Sequence, residues 1–221
     1  MNEVINIIKI SLFDISSFTV WVPLFVLLPV VTKTTVYFRV LFFHLLFAAV
    51  LQAVAYYLWK NSKNNLYLLH FYTVEELVML TVFYSYLLTG LLNKRIFIVI
   101  IALFIICAIL NALYLQPLTT HNTYMRSLES LIIIIWTILY FYVRLGEDPD
   151  KQQKKDAGLL VINSGFLIYF TTSLLLFSLS NLIDAKNKEI RISLWSIHAL
   201  VSIIMYILIA IGLWKHRKTA T

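Results

Sequence analysis

The side chains of this chain most able to do chemistry are a few ionisable residues set inside long apolar runs. Glu75 and Glu76 stand side by side in a run that begins near Leu66. They lie about 10 residues in, or roughly 15 Å at the rise of a helix. A carboxylate at such depth in a bilayer costs about 2.5–3.5 kcal/mol on insertion scales, so it turns inward and finds partners. Tyr72, Glu75, Glu76, Met79, Phe83 and Tyr86 recur at helical spacing, and that face is expected to point into a bundle. Arg126 and Glu129 stand three residues apart and can pair on one helix face, which Ile133, Trp136 and Tyr140 continue. Asn163, Phe166, Phe170, Ser173, Phe177 and Asn181 form a further stripe, as do Trp195, His198, Ser202 and Met205. Aromatic stripes carrying a few carboxylates, one guanidinium and one imidazole suit a ligand pocket with few convergent polar groups. The same residues also suit interhelical hydrogen bonds that only hold helices together.

The elements that must position them follow from composition. Of 221 residues, 61% are hydrophobic and 13% charged, with a mean hydropathy of +0.85, too apolar for a chain outside lipid. Seven apolar stretches approach the roughly 20 residues that span a bilayer. They cover 18–32, 37–59, 66–92, 96–115, 124–145, 158–182 and 193–214. The expected fold is therefore all-α, a polytopic membrane protein with a single domain over 1–221, a seven-transmembrane-helix bundle. Pro23 and Pro29 should kink the first span, which needs residues upstream of Phe18 to reach full length. The segment from Met1 to Ser17 lacks the pattern of a removable signal peptide and reads as a helical lead-in.

Charge sets the expected orientation. Eleven Lys and Arg flank the first, third and fifth connectors and the tail, against seven on the other side, which favours an outside N-terminus and a cytoplasmic C-terminus. The net charge of +7 sits in scattered connectors rather than one basic stripe, so it fits membrane lipid headgroups and not nucleic acid. The lone Cys107 can form neither an intrachain disulfide nor a cysteine-pair metal site. Because successive spans alternate in direction, depth can be compared along the chain. Gln52, Tyr56, His70, Tyr72, Glu75, Glu76, Asn111, Arg126, Glu129, Asn181, Trp195, His198 and Ser202 are expected in the outer half, His44 and Asn163 in the inner leaflet. No fixed-period repeat or matched pair of broken spans points to an inverted-repeat transporter.

Two seven-helix families fail on their chemistry. The last span, 193–214, has no lysine to carry retinal, and His198 is followed by Ser202 rather than a second histidine, so the HxxxH pair of seven-helix zinc hydrolases is missing. A metal site from His70, His198, Glu76 and Glu129 has no diagnostic spacing. Four stretches carry a resemblance: Asn65-Leu66-Tyr67 with His70 to Glu76, Tyr124 to Glu129, Ile162-Asn163-Ser164-Gly165 with Tyr169-Phe170, and Ile197-His198 on to Gly212-Leu213-Trp214. Through them the chain resembles small bacterial seven-helix membrane proteins whose bundle also forms the sensory membrane region of some histidine kinases. The resemblance implies a bacterial inner-membrane bundle and a sensory role; it implies no activity, and the chain carries no kinase domain of its own.

Together these readings give an expectation. The chain is a membrane sensor or receptor module that binds a small molecule or lipid in its outer half through Tyr72, Glu75, Glu76, Arg126, Glu129, Trp195 and His198. Signalling passes to a separate cytoplasmic protein, with no cofactor and no metal. Three alternatives stay open: an intramembrane lipid hydrolase or transferase with Glu76 or His198 as base, a proton-coupled carrier using Glu75 or Glu76, and a structural subunit.

Overall fold

A computed structural model describes residues 2–146, 156–180 and 188–220, so Asn181 lies outside the described residues. Among the described residues the chain is all-helical. The helices are α1 (Asn2–Thr19), α2 (Trp21–Leu27), α3 (Val36–Lys60), α4 (Leu66–Leu87), α5 (Lys94–Leu110), α6 (Thr123–Leu145), α7 (Asp156–Ser180) and α8 (Lys188–Ala220). Seven stretches are long and apolar enough to cross a membrane, and the first runs over Ser11–Val30. That span is built from the end of α1 and all of α2, because Pro23 offers no N–H to the carbonyl of Thr19 and the helix breaks there. The third span is shorter than its apolar run. Its helix stops at Leu87, and Gly90, with φ of 102°, turns the chain back toward α5 in a conformation other residues resist. α5 ends in a π-helical turn, Asn111–Leu115, whose Asn111 carbonyl accepts from the Gln116 backbone N–H at 2.7 Å.

Six spans form a closed ring in the order first span, α3, α4, α6, α7, α8, with α8 returning to α1 and α2. α5 stands outside the ring and packs chiefly on α4. Its composition requires this: Lys94–Leu115 has a mean hydropathy of 3.2 and only 17% of that span is buried, so it presents apolar surface on nearly all sides. The other spans turn their polar residues to the ring's interior. Thr73, Glu76, Thr81, Arg126, Glu129, Ser130, Thr137, Asn163 and Ser173 are all buried. The stripe expected on α4 is only partly inward, since Glu76 and Phe83 are buried while Tyr86 faces outward. The stripe on α6 is wholly inward, with Glu129, Ile133, Trp136 and Tyr140 buried.

In the half of the ring where α4 ends, the core is aromatic and closed. Tyr84 donates to Asn163 Oδ1 at 2.7 Å, and Asn163 donates to the Thr137 carbonyl at 3.1 Å, tying α4, α7 and α6 together. α7 and α8 approach most closely at two glycines. A Cβ on Gly212 would stand 2.5 Å from the Gly158 carbonyl oxygen and 2.5 Å from Ile162 Cγ1, and one on Gly158 would meet the Gly212 carbonyl oxygen at 2.5 Å. Small residues permit such contact between membrane helices, where packing rather than water drives association. Gly212→Ala should therefore destabilise the bundle by about 1–3 kcal/mol. Gly146→Ala, whose Cβ would meet nothing nearer than 3.5 Å, should cost much less. Equilibrium unfolding of both variants in mixed micelles measures the difference.

Candidate functional site

The site begins with a fixed charge. Arg126 is 1% exposed, and its guanidinium lies between the rings of Tyr72 and Phe177, 5.5 and 5.4 Å from their centroids. Its Nη1 donates to Glu76 Oε2 and, at 2.7 Å, to Glu129 Oε2; its Nη2 donates to the Tyr169 hydroxyl at 2.9 Å. Tyr72 donates to the other oxygen of Glu76 at 2.7 Å. An arginine cannot lose its proton here, so its burial requires these acceptors. The ion pair expected along α6 is thus present, with Glu76 of α4 and Tyr169 of α7 added.

Arg126 reaches this depth because α6 starts inside the bundle. Asn122 and Thr123 are 2% and 3% exposed. The connector before them is pinned: Asn111 donates to Asn122 Oδ1 at 3.1 Å, Asn122 donates to Thr73 Oγ1 at 3.2 Å, and Gln116 donates to Thr123 Oγ1 at 2.6 Å. His70 adds a contact of 3.1 Å between its Nε2 and the Thr120 carbonyl oxygen. That position puts His70 on the connector, away from Arg126.

Glu75 points elsewhere. It meets His44 Nδ1 at 3.2 Å, while His44 Nε2 stands 3.9 Å from Glu76 Oε1. His44, expected in the leaflet opposite the acids, instead meets them. The reason is depth: His44 is about 8 residues into α3 and Glu75 about 9 into the antiparallel α4, so both arrive near mid-span. The result is one connected set, Glu75, His44, Glu76, Arg126 and Glu129, contributed by α3, α4 and α6.

Beside this set lies a cavity of about 630 Å3, at the end of the ring where α4, α6 and α8 begin. Arg126 lines it, together with Tyr72, Tyr169, Phe177, Trp195, His198 and Ser202. α3 contributes Gln52, Tyr56 and Trp59, α1 contributes Phe13, Ser16 and Ser17, and the α5–α6 connector contributes His121, which stacks on Trp195 at 5.6 Å. His198 sits against Tyr169, Phe177 and Trp195, with ring centroids 5.4, 5.6 and 5.9 Å away. Of the seven residues expected at a site, Tyr72, Arg126, Trp195 and His198 line the cavity. Glu76 and Glu129 bind the arginine without lining it, and Glu75 is turned to His44. Tyr169, Phe177, His121 and the α1 residues were not expected. Tyr169 had a usable signal, since it stands three residues after Phe166 and four before Ser173 on the same stripe. The α1 residues carried none.

No group of three or more His, Cys, Asp or Glu side chains close enough to hold a metal ion occurs among the described residues. His70, His198, Glu76 and Glu129 do not converge: His70 is bonded to the connector and both acids to Arg126.

Removing the arginine should leave its carboxylates buried without a cation. Arg126→Met is expected to destabilise the bundle by about 3–5 kcal/mol, and adding Glu76→Gln and Glu129→Gln should restore much of the loss. Unfolding equilibria of the single and triple variants measure both effects. No known protein family, curated protein or solved structure matches the chain, so the reading of this site rests on its own geometry.

Proposed function

We propose that this protein is a membrane sensor or receptor module of a bacterial inner membrane, oriented with its N-terminus outside. A small molecule or lipid enters the cavity, and a separate cytoplasmic protein receives the signal. The observation that carries the reading is the cavity itself: about 630 Å3, walled mainly by aromatic and aliphatic side chains, with Arg126, His198, Gln52 and Ser202 among its polar groups. Ser16, Ser17, Asn65 and His121 add polar groups toward its rim, and that size and chemistry match small-molecule sites. Its walls come from the first span, α3, α4, α6, α7 and α8, so an occupant touches every member of the ring. A ligand acts by favouring one helix arrangement over another, and contact with all six spans gives it the means. The connectors on the opposite side, and the tail, are where such movement would reach a partner.

One observation favours a second reading. Glu75, Glu76 and Glu129 share one guanidinium and the His44 imidazole. Three carboxylates against those two groups suit a carrier that takes up a proton with its cargo.

The receptor reading predicts a defined adduct in native mass spectra of the detergent-purified protein. Ser202→Trp, which fills the cavity from α8, should remove it while the protein stays folded. An adduct that survives Ser202→Trp would place the ligand elsewhere. Proton-coupled uptake into proteoliposomes, lost on Glu76→Gln, would move the assignment to the carrier.

A further inference from the structure

We infer that the cavity takes an uncharged amphiphile, whose carbonyl or hydroxyl head meets Arg126 and His198 and whose apolar body lies among the surrounding rings. The inference rests on the cavity being a ligand site and adds the chemical class of its occupant.

The hydrogen-bonding atoms left over at the cavity carry the argument. Arg126 has given both Nη1 hydrogens to carboxylates and one Nη2 hydrogen to Tyr169, and its Nε has no partner among the described residues. Nε–H is an obligate donor, and the side chain is 1% exposed. His198 Nε2 likewise has no partner among the described residues. Gln52 gives its amide N–H to the Tyr206 hydroxyl at 2.8 Å, and its Oε1 is left without a donor among the described residues. Three residues of the cavity wall therefore carry an unpartnered atom each: a fixed donor on Arg126, an imidazole nitrogen on His198 that donates or accepts by tautomer, and an acceptor on Gln52. A buried polar atom without a partner is costly, and a ligand oxygen beside Arg126 and His198 removes that cost. A hydroxyl can also donate to Gln52.

Charge narrows the class. An anionic head would approach Arg126 but meet the charge of Glu76 and Glu129, which already hold that guanidinium. A cationic head would stand against the guanidinium itself. Either ion would give up its hydration at a wall whose fixed charge, Arg126, is already paired with carboxylates, whereas a neutral oxygen head gives up far less.

The test uses three probes with one body and different heads: 10-bromodecan-1-ol, 10-bromodecanoate and 10-bromodecyltrimethylammonium. Each is titrated into the protein in lipid nanodiscs. Bromine quenching of Trp195 is isolated as the difference between the protein and its Trp195→Phe variant, because Trp195 lines the cavity. The expected result is saturable quenching by the alcohol, with the two charged probes weaker by about tenfold or more. His198→Phe should weaken the alcohol and leave the charged probes unmoved. Preference for the acid or the ammonium, equal binding of all three, or alcohol binding indifferent to His198→Phe would each overturn the inference while leaving a ligand cavity in place. Absence of saturable quenching by every probe would overturn both the inference and the receptor reading.

Discussion

A guanidinium that cannot be neutralised, held away from water, forces its surroundings to supply negative oxygens. Arg126 is that group, and much of the bundle is arranged to meet its demand. Glu76 comes from α4, Glu129 from α6 itself one turn after Arg126, and Tyr169 from α7; His44 of α3 then stands near both Glu75 and Glu76. Four helices of the ring are fixed relative to one another by these contacts. In lipid, such polar contacts supply specificity that a purely apolar packing lacks, because lipid tails compete for every apolar surface. The α5–α6 connector belongs to the same arrangement. Its buried Asn122 and the bonds to Asn111 and Thr73 let α6 begin inside the bundle and deliver the arginine to the acids.

The cavity follows from the same geometry. A ring of six helices leaves a central space that large side chains must fill. In one half they do, with Phe38, Phe83, Tyr84, Phe166, Phe170 and Tyr206 packed to near-zero exposure. In the other half Arg126 is drawn back toward Glu76 and Glu129, and the space beside it stays open between Tyr72, Phe177, Trp195 and His198. Charge clustering and cavity are therefore two results of one constraint, and a ligand in the cavity would touch the residue that ties the helices together.

Much of this was legible in the sequence, for identifiable reasons. Hydropathy located all seven spans because a membrane helix must bury its own backbone, and that requirement does not depend on neighbours. The uniform apolarity of Lys94–Leu115 marks it as the helix outside the ring. Spacing alone placed Arg126 and Glu129 together, since residues three apart on a helix always face one way. Neighbour choice between helices was harder. Adjacent Glu75 and Glu76 look equivalent in sequence, but consecutive residues on a helix differ by about 100°, and one turned to His44 while the other met Arg126. His44, expected in the inner leaflet, meets Glu75 because residues near mid-span belong to neither leaflet. The walls given by α1 were illegible, because Phe13, Ser16 and Ser17 carry no charge or motif to report a cavity.

Arg126 and its acids stand as a seal between the open cavity and the packed interior of the ring. Cysteine accessibility in a Cys107→Ala background tests this division. Ser202 lines the cavity, whereas Ser130 is 0% exposed and donates to the Arg126 carbonyl on the far side of the seal. With N-ethylmaleimide on the folded protein, a cysteine introduced by Ser202→Cys should react readily and one introduced by Ser130→Cys should not. Equal protection of both, or equal labelling of both, would contradict the account.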